Sequence, residues 1–183
     1  ISLGHRRLSI IDLSITGHQP MFSHTGRFVI SFNGEIYNYK LLRSNLERQF
    51  KTIKWRGSSD TEVFLQMIEK FGLINALDQA VGMFAFALWD NEKKTLSLVR
   101  ERIGEKPLYY GWQGKSFLFA SELKAMKKHP QWQNRINRDS ITLLLRHNCI
   151  PAPHSIFKGI YKLIPGTILT LDYRHIFIFD YSS

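Results

Sequence analysis

With 183 residues, 44% hydrophobic and 22% charged, the chain suits one packed domain, is short for two of ordinary size, and is too apolar for a disordered tail. Its single cysteine, Cys149, excludes an intramolecular disulfide and a four-cysteine zinc site, which fits a reducing, cytoplasmic setting. The formal net charge of +10 would suit a nucleic-acid binder, yet Lys and Arg never run beyond two in a row; with no apolar run near ~18 residues, neither nucleic acid nor a membrane is expected as a partner.

In chain order, Leu8-Ser9-Ile10-Ile11 and Phe28-Val29-Ile30-Ser31-Phe32 read as short strands, separated by turn chemistry at Thr16-Gly17-His18-Gln19-Pro20. From Asn38 to about Arg48 the pattern is helical, with Leu42, Leu46 and Phe50 four apart. Ser59-Asp60-Thr61-Glu62 fits a capping box opening a second helix. Val63, Phe64, Met67, Ile68 and Phe71 form its apolar face and Gly72 ends it.

Phe84 to Trp89 is almost wholly apolar, as in a strand covered on both faces, and Asn91-Glu92-Lys93-Lys94 turns it into Thr95–Val99. Leu108–Trp112 and Phe117–Ala120 make a hairpin around Gly114. Helices are predicted near Glu122–Lys128 and Ser140–Arg146, and Pro151-Ala152-Pro153 breaks the chain. Thr167–Leu171 and Ile176–Phe179 close it as strands around a Pro165-Gly166 turn. Hairpin-joined strands with helices between them predict an antiparallel-dominated α+β arrangement.

Few residues announce chemistry. No Walker-type loop, nucleophile elbow or paired-histidine zinc helix occurs, and the seven histidines lack metal-ligand spacing. Cys149 follows a predicted helix, where the macrodipole opposes a thiolate, so it reads as a structural free cysteine. Asn33-Gly34-Glu35 follows a strand and has two readings. The commoner one is a hairpin turn, which Asn-Gly favours. The sharper one is an oxyanion site made of the Asn33 side-chain amide and the Gly34 backbone N–H. Arg7 and Asp60 could complement an amino acid, a guanidinium for the carboxylate and a carboxylate for the ammonium. Their separation along the chain does not bring them together.

Taken in order, the motifs resemble the N-terminal glutaminase domain of glutamine-hydrolysing asparagine synthetases, of the class II (N-terminal-nucleophile) amidotransferase family. The matching stretches are His5–Ser14, Gly17–Met21, Phe32–Tyr39, Ser59–Glu62, Gly82–Asp90, Gly104–Gly111 and Ser121–Ala125. Pro151–Ile156 and Pro165–Thr167 resemble the same family near its domain junction. Each string is weak alone; their colinear order is specific. The Asn-Gly-Glu-Ile-Tyr-Asn form points to the asparagine-synthetase branch over the sugar-phosphate and purine amidotransferases.

The resemblance implies a four-layer αββα sandwich, incomplete at its N-terminus, with residues 1–150 as a partial glutaminase domain and 151–183 as terminal strands at the junction toward a synthetase domain. It implies that an N-terminal cysteine, with its own α-amine of pKa about 7.7–8.0 as base, attacks the side-chain amide of glutamine. Asn33 and Gly34 would hold the oxyanion, Arg7 the carboxylate and Asp60 the ammonium, with Leu8, Ser9, Ile10, Ile11 and Glu35 lining the pocket. Ammonia would pass to an ATP- and magnesium-using synthetase domain of the same chain, which amidates aspartate or another carboxylate. No cofactor or metal is expected in these residues themselves, and homo-oligomerisation stays open. The sequence begins at Ile1 without that cysteine or the family's Arg-Gly-Pro-Asp segment, and Glu101 stands where the family usually has aspartate. The fragment is therefore expected to be inactive. The alternative expectation is a non-catalytic binding or scaffolding module that keeps the fold.

Overall fold

A computed structural model describes residues 1–6, 15–172 and 175–181. The strand predicted over Leu8–Ile11 lies outside the described residues. Among those described, a 3-10 turn at Ile15–Gly17 leads to β1 (Met21–Phe22), β2 (Phe28–Ile36), α1 (Tyr39–Gln49), α2 (Asp60–Phe71), α3 (Leu73–Gln79), β3 (Gly82–Asp90) and β4 (Thr95–Arg100). Then come β5 (Tyr109–Gln113), β6 (Ser116–Ala120), α4 (Leu123–Met126), α5 (Arg138–His147), β7 (Ile160–Lys162), β8 (Thr167–Leu171) and β9 (Ile176–Asp180). The strands form a six-stranded sheet of order β1-β2-β3-β4-β8-β9 and a three-stranded sheet of order β6-β5-β7, every pair antiparallel. None of the described helices is long and apolar enough to cross a membrane.

The alternation of side chains along β2 and β3 sorts two cores. Phe32, Phe84 and Phe86 point to the helical side and meet Phe64 of α2, with ring centroids 5.5 Å apart for Phe64–Phe86 and 5.9 Å for Phe32–Phe84. Every residue of α2 from Asp60 to Ile68 is buried, so this helix lies inside the layer and its polar residues are enclosed with it. On the opposite face, Ala85, Ala87, Leu96, Leu98 and Leu169 pack against Leu108, just before β5, and against Tyr110, Phe117 and Phe119 of the second sheet. The outer face of that sheet is covered by Met126 of α4 together with Trp132 and Phe157. Helices, sheet, sheet and helix make the four layers expected, although the last is thin: α5 buries only Ser140.

Several expectations are corrected. Asn33-Gly34 is not a hairpin turn but lies inside β2, paired with Ala85 and Phe84 of β3. The Pro165-Gly166 turn precedes β8, and β8 and β9 are joined further on. The short strands β1 and β7 carry too few residues to show a period and were not anticipated. At the start of α2 the Ser59 hydroxyl accepts from the Glu62 amide at 3.1 Å, as a capping box requires. The Glu62 carboxylate reaches further back, to the amides of Arg56 (2.8 Å) and Gly57 (2.9 Å).

Candidate functional site

A cleft of about 1000 Å³ opens between the two sheets beside β2. Ser31, Phe32, Asn33, Gly34 and Glu35 line one wall, with Gly4, His5 and Arg6 beside them. Ala85 and Ala87 of β3 make a floor of small side chains, and Phe119, Ala120 and Ser121 close the second-sheet side. Asp60 and Lys106 also line it.

Gly34 is where backbone geometry dictates the residue. Its φ is +150°, and a Cβ there would stand 2.1 Å from the Met83 carbonyl oxygen and 2.6 Å from the Phe84 Cα. The neighbouring contact repeats the pattern: a Cβ on Gly82 would meet the Glu35 carbonyl oxygen at 2.1 Å. Both glycines let β2 and β3 approach where side chains would hold them apart. This resolves the ambiguity of the dipeptide, because the glycine serves a close approach rather than a turn.

Hydrogen bonding then fixes which way the Gly34 amide points. The Phe32 N–H donates to Gln19 Oε1 at 2.6 Å and the Ile36 N–H to Asp60 Oδ2 at 2.9 Å. Alternate amides of a strand face the same edge, so the Gly34 N–H lies between these two on the side of β2 away from β3. Gln19 and Asp60, both buried, thus satisfy the flanking amides of an edge that β1 is too short to cover. The Asn33 side chain projects to the cleft face, where its Nδ2 donates to Ser121 Oγ at 3.1 Å. One amide hydrogen is engaged by Ser121 and the second remains for a ligand.

Asp60 also accepts from the Thr61 N–H at 2.8 Å. Burial pushes its carboxyl above the ordinary carboxylate range, the hydrogen bonds from Ile36 and Thr61 oppose the rise, and the nearby negative charge of Glu35 adds to it. The Thr61 hydroxyl donates to the same Oδ1 at 3.4 Å, so Oδ2, which accepts only from Ile36, keeps a further lone pair for a cation.

Lys106 is carried by a rigid loop. The Arg100 guanidinium donates to the carbonyls of Lys106 (2.8 Å), Leu163 (2.7 Å) and Gly104 (2.6 Å). The buried Glu101 carboxylate accepts from the amides of Ile103 (2.6 Å), Gly104 (2.8 Å) and Lys106 (3.2 Å). The glutamate at this position therefore folds the loop rather than entering the cleft.

Of the residues expected from sequence, Asn33, Gly34, Glu35 and Asp60 share this cleft, whereas Arg7, Leu8, Ser9, Ile10 and Ile11 lie outside the described residues. Gln19, Ser121 and Lys106 carried no assigned role in the sequence reading. Their only signal was membership in the Gly17–Met21, Ser121–Ala125 and Gly104–Gly111 strings. Cys149, the one thiol, is exposed beyond the C-terminus of α5 and is not among the lining residues.

The sequence matches the glutamine amidotransferase domain over residues 1–181. Among curated relatives, asparagine synthetase [glutamine-hydrolyzing] 2 of Bacillus subtilis is 41% identical over 75% of this chain and 18% of its own length. Asparagine synthetase [glutamine-hydrolyzing] 3 of the same organism is 35% identical over 94% of this chain and 28% of its own length. The chain thus spans under a third of either relative. Among solved structures, the glutamine phosphoribosylpyrophosphate amidotransferase of B. subtilis superposes with a TM-score of 0.69 over 97% of this chain and 34% of its own, at 21% identity, a likeness of fold.

Proposed function

We propose, from the premise that this chain belongs to the glutamine amidotransferase domain family, that the cleft beside β2 binds free glutamine and stabilises the oxyanion formed when its side-chain amide is attacked. The observation that carries this reading is the placement of the Asn33 amide and the Gly34 N–H side by side on one strand, in a cleft that also holds Asp60. The Asp60 carboxylate and Glu35 supply negative charge for the substrate ammonium, and Arg7 is assigned to its carboxylate.

In the proposed reaction a cysteine thiolate forms a bond to the amide carbon and the carbonyl π pair moves to oxygen. Preorganised donors at Asn33 and Gly34 stabilise that oxygen, and removing one such donor costs about 10²–10³ in kcat. Collapse expels nitrogen, which takes up the thiol proton and leaves as ammonia. Water then cleaves the thioester to glutamate. Cys149 is not among the residues lining the cleft, so the nucleophile is assigned to a residue outside these 183, and the chain alone is proposed to be hydrolytically inert. ATP and magnesium are assigned to a synthetase portion outside these residues, where ammonia would amidate aspartate or another carboxylate; the support is that the glutamine-hydrolysing asparagine synthetases similar to this chain extend well beyond the part it matches.

Glutamate release by the full-length protein tests this. Hydrolysis that is abolished by Asn33→Ala supports the reading. A full-length protein with an N-terminal cysteine and no glutaminase activity overturns it.

A further inference from the structure

We infer that Ser121 is a positioning residue for the oxyanion donor Asn33, an inference that rests on the glutamine-hydrolysis reading of the cleft. Asn33 stands on β2 of the six-stranded sheet and Ser121 directly follows β6 of the three-stranded one, so their 3.1 Å hydrogen bond spans the gap between sheets at the mouth of the cleft. The Asn33 side chain is only half-buried and its floor is the short side chains of Ala85 and Ala87. Packing there does little to restrict rotation about the terminal torsion, which is intrinsically broad for asparagine. The Ser121 hydroxyl supplies the missing restraint. By taking one Nδ2 hydrogen it fixes the plane of the amide, and the second hydrogen then has a set direction within that plane.

Such preorganisation matters more to the transition state than to bound substrate, because the neutral carbonyl needs the donor less than the oxyanion does. The Gly34 amide needs no comparable support, since pairing of β2 with β3 along the opposite edge fixes the backbone that carries it. Ser121 therefore acts through Asn33 and touches no reacting atom. It also ties the geometry of the oxyanion site to the second sheet.

The test uses the full-length protein and compares Asn33→Ala, Ser121→Ala, Ser121→Thr and the Asn33→Ala/Ser121→Ala double variant in glutamine hydrolysis. Ser121→Ala is expected to lower kcat about tenfold, with KM within about twofold. Ser121→Thr, which keeps the hydroxyl, should restore kcat to within about threefold of the parent, and Ser121→Ala should cost nothing further once Asn33 is alanine. If Ser121→Ala does not fold, Ser121→Cys, with a poor acceptor of similar size, carries the same comparison. A kcat unchanged by Ser121→Ala while Asn33→Ala loses about a hundredfold or more overturns the positioning role and leaves the cleft assignment standing. A rise confined to KM, or a further loss in the double variant, overturns it likewise. Full activity in Asn33→Ala removes the cleft assignment itself.

Discussion

Replacing Gly34 with alanine puts a methyl group 2.1 Å from the Met83 carbonyl oxygen and 2.8 Å from the Phe84 Cβ. Neither neighbour can swing away, because both belong to β3 at the centre of the six-stranded sheet. Restoring ordinary carbon–oxygen contact requires the strands to part by about 1 Å, enough to weaken the adjoining ladder hydrogen bonds. Overpacking of this kind costs about 1–3 kcal/mol, and a φ of +150° adds to it, giving about 3 kcal/mol or more. For a domain of this size each kcal/mol corresponds to about 2–4 °C in Tm, so Gly34→Ala should melt about 6–12 °C below the parent. Gly26→Ala is the control: its φ is +75° but no atom lies within 4 Å of the added Cβ, so only the backbone term of about 1–2 kcal/mol applies. Differential scanning calorimetry of the two variants decides the matter. Equal melting of Gly34→Ala and Gly26→Ala would refute the close-approach explanation of this glycine.

Three further outcomes follow from the hydrogen bonding. Because burial raises the Asp60 pKa in the fold, the Asp60 contribution is fully present below its ordinary value of 3.8 and is lost as pH rises through the raised one; the stability deficit of Asp60→Asn should shrink as pH rises above 3.8, and a deficit that grows contradicts this. Asp90 behaves oppositely: burial pushes its carboxyl up, but bonds from Arg27 at 2.8 and 3.2 Å and from the Glu92 and Lys93 amides bring it below the ordinary value. Arg27→Met should cost about 1–3 kcal/mol at neutral pH, with the gap closing as pH falls below 3.8 and the carboxylate protonates in both proteins; urea unfolding across pH reads it. Glu101→Gln cannot accept from all three loop amides and should destabilise by about 1–3 kcal/mol, with amide exchange accelerated more at Ile103 and Gly104 than at Leu98 in the core of β4.

What the sequence disclosed depended on how local the cause was. The Ser59–Glu62 amide bond and the Gly72 stop operate within one turn of helix, and both were legible. So was the double burial of β3, because Phe84–Trp89 lacks polar alternation. The Asn33-Gly34 dipeptide misled at the local level: its glycine answers to Met83 and Phe84, some fifty positions away in the chain, and no nearest-neighbour rule encodes that contact. Gln19 and Ser121 have the same character, serving backbone or side-chain partners 13 and 88 positions distant. The family resemblance supplied Asn33, Gly34, Glu35 and Asp60 as a set, and the fold places these four at one cleft. It offered no reason for Asp60 to cap β2, a role that appears only when the edge amides of β2 are followed one by one.

The most direct test of the central claim is a two-dimensional ¹H–¹⁵N NMR titration of this chain with L-glutamine, following the Gly34 backbone amide and the Asn33 side-chain NH₂ signals. Saturable movement of both, abolished by Asp60→Ala, is the predicted result. Movement only at resonances remote from β2, or none at millimolar glutamine, would contradict it.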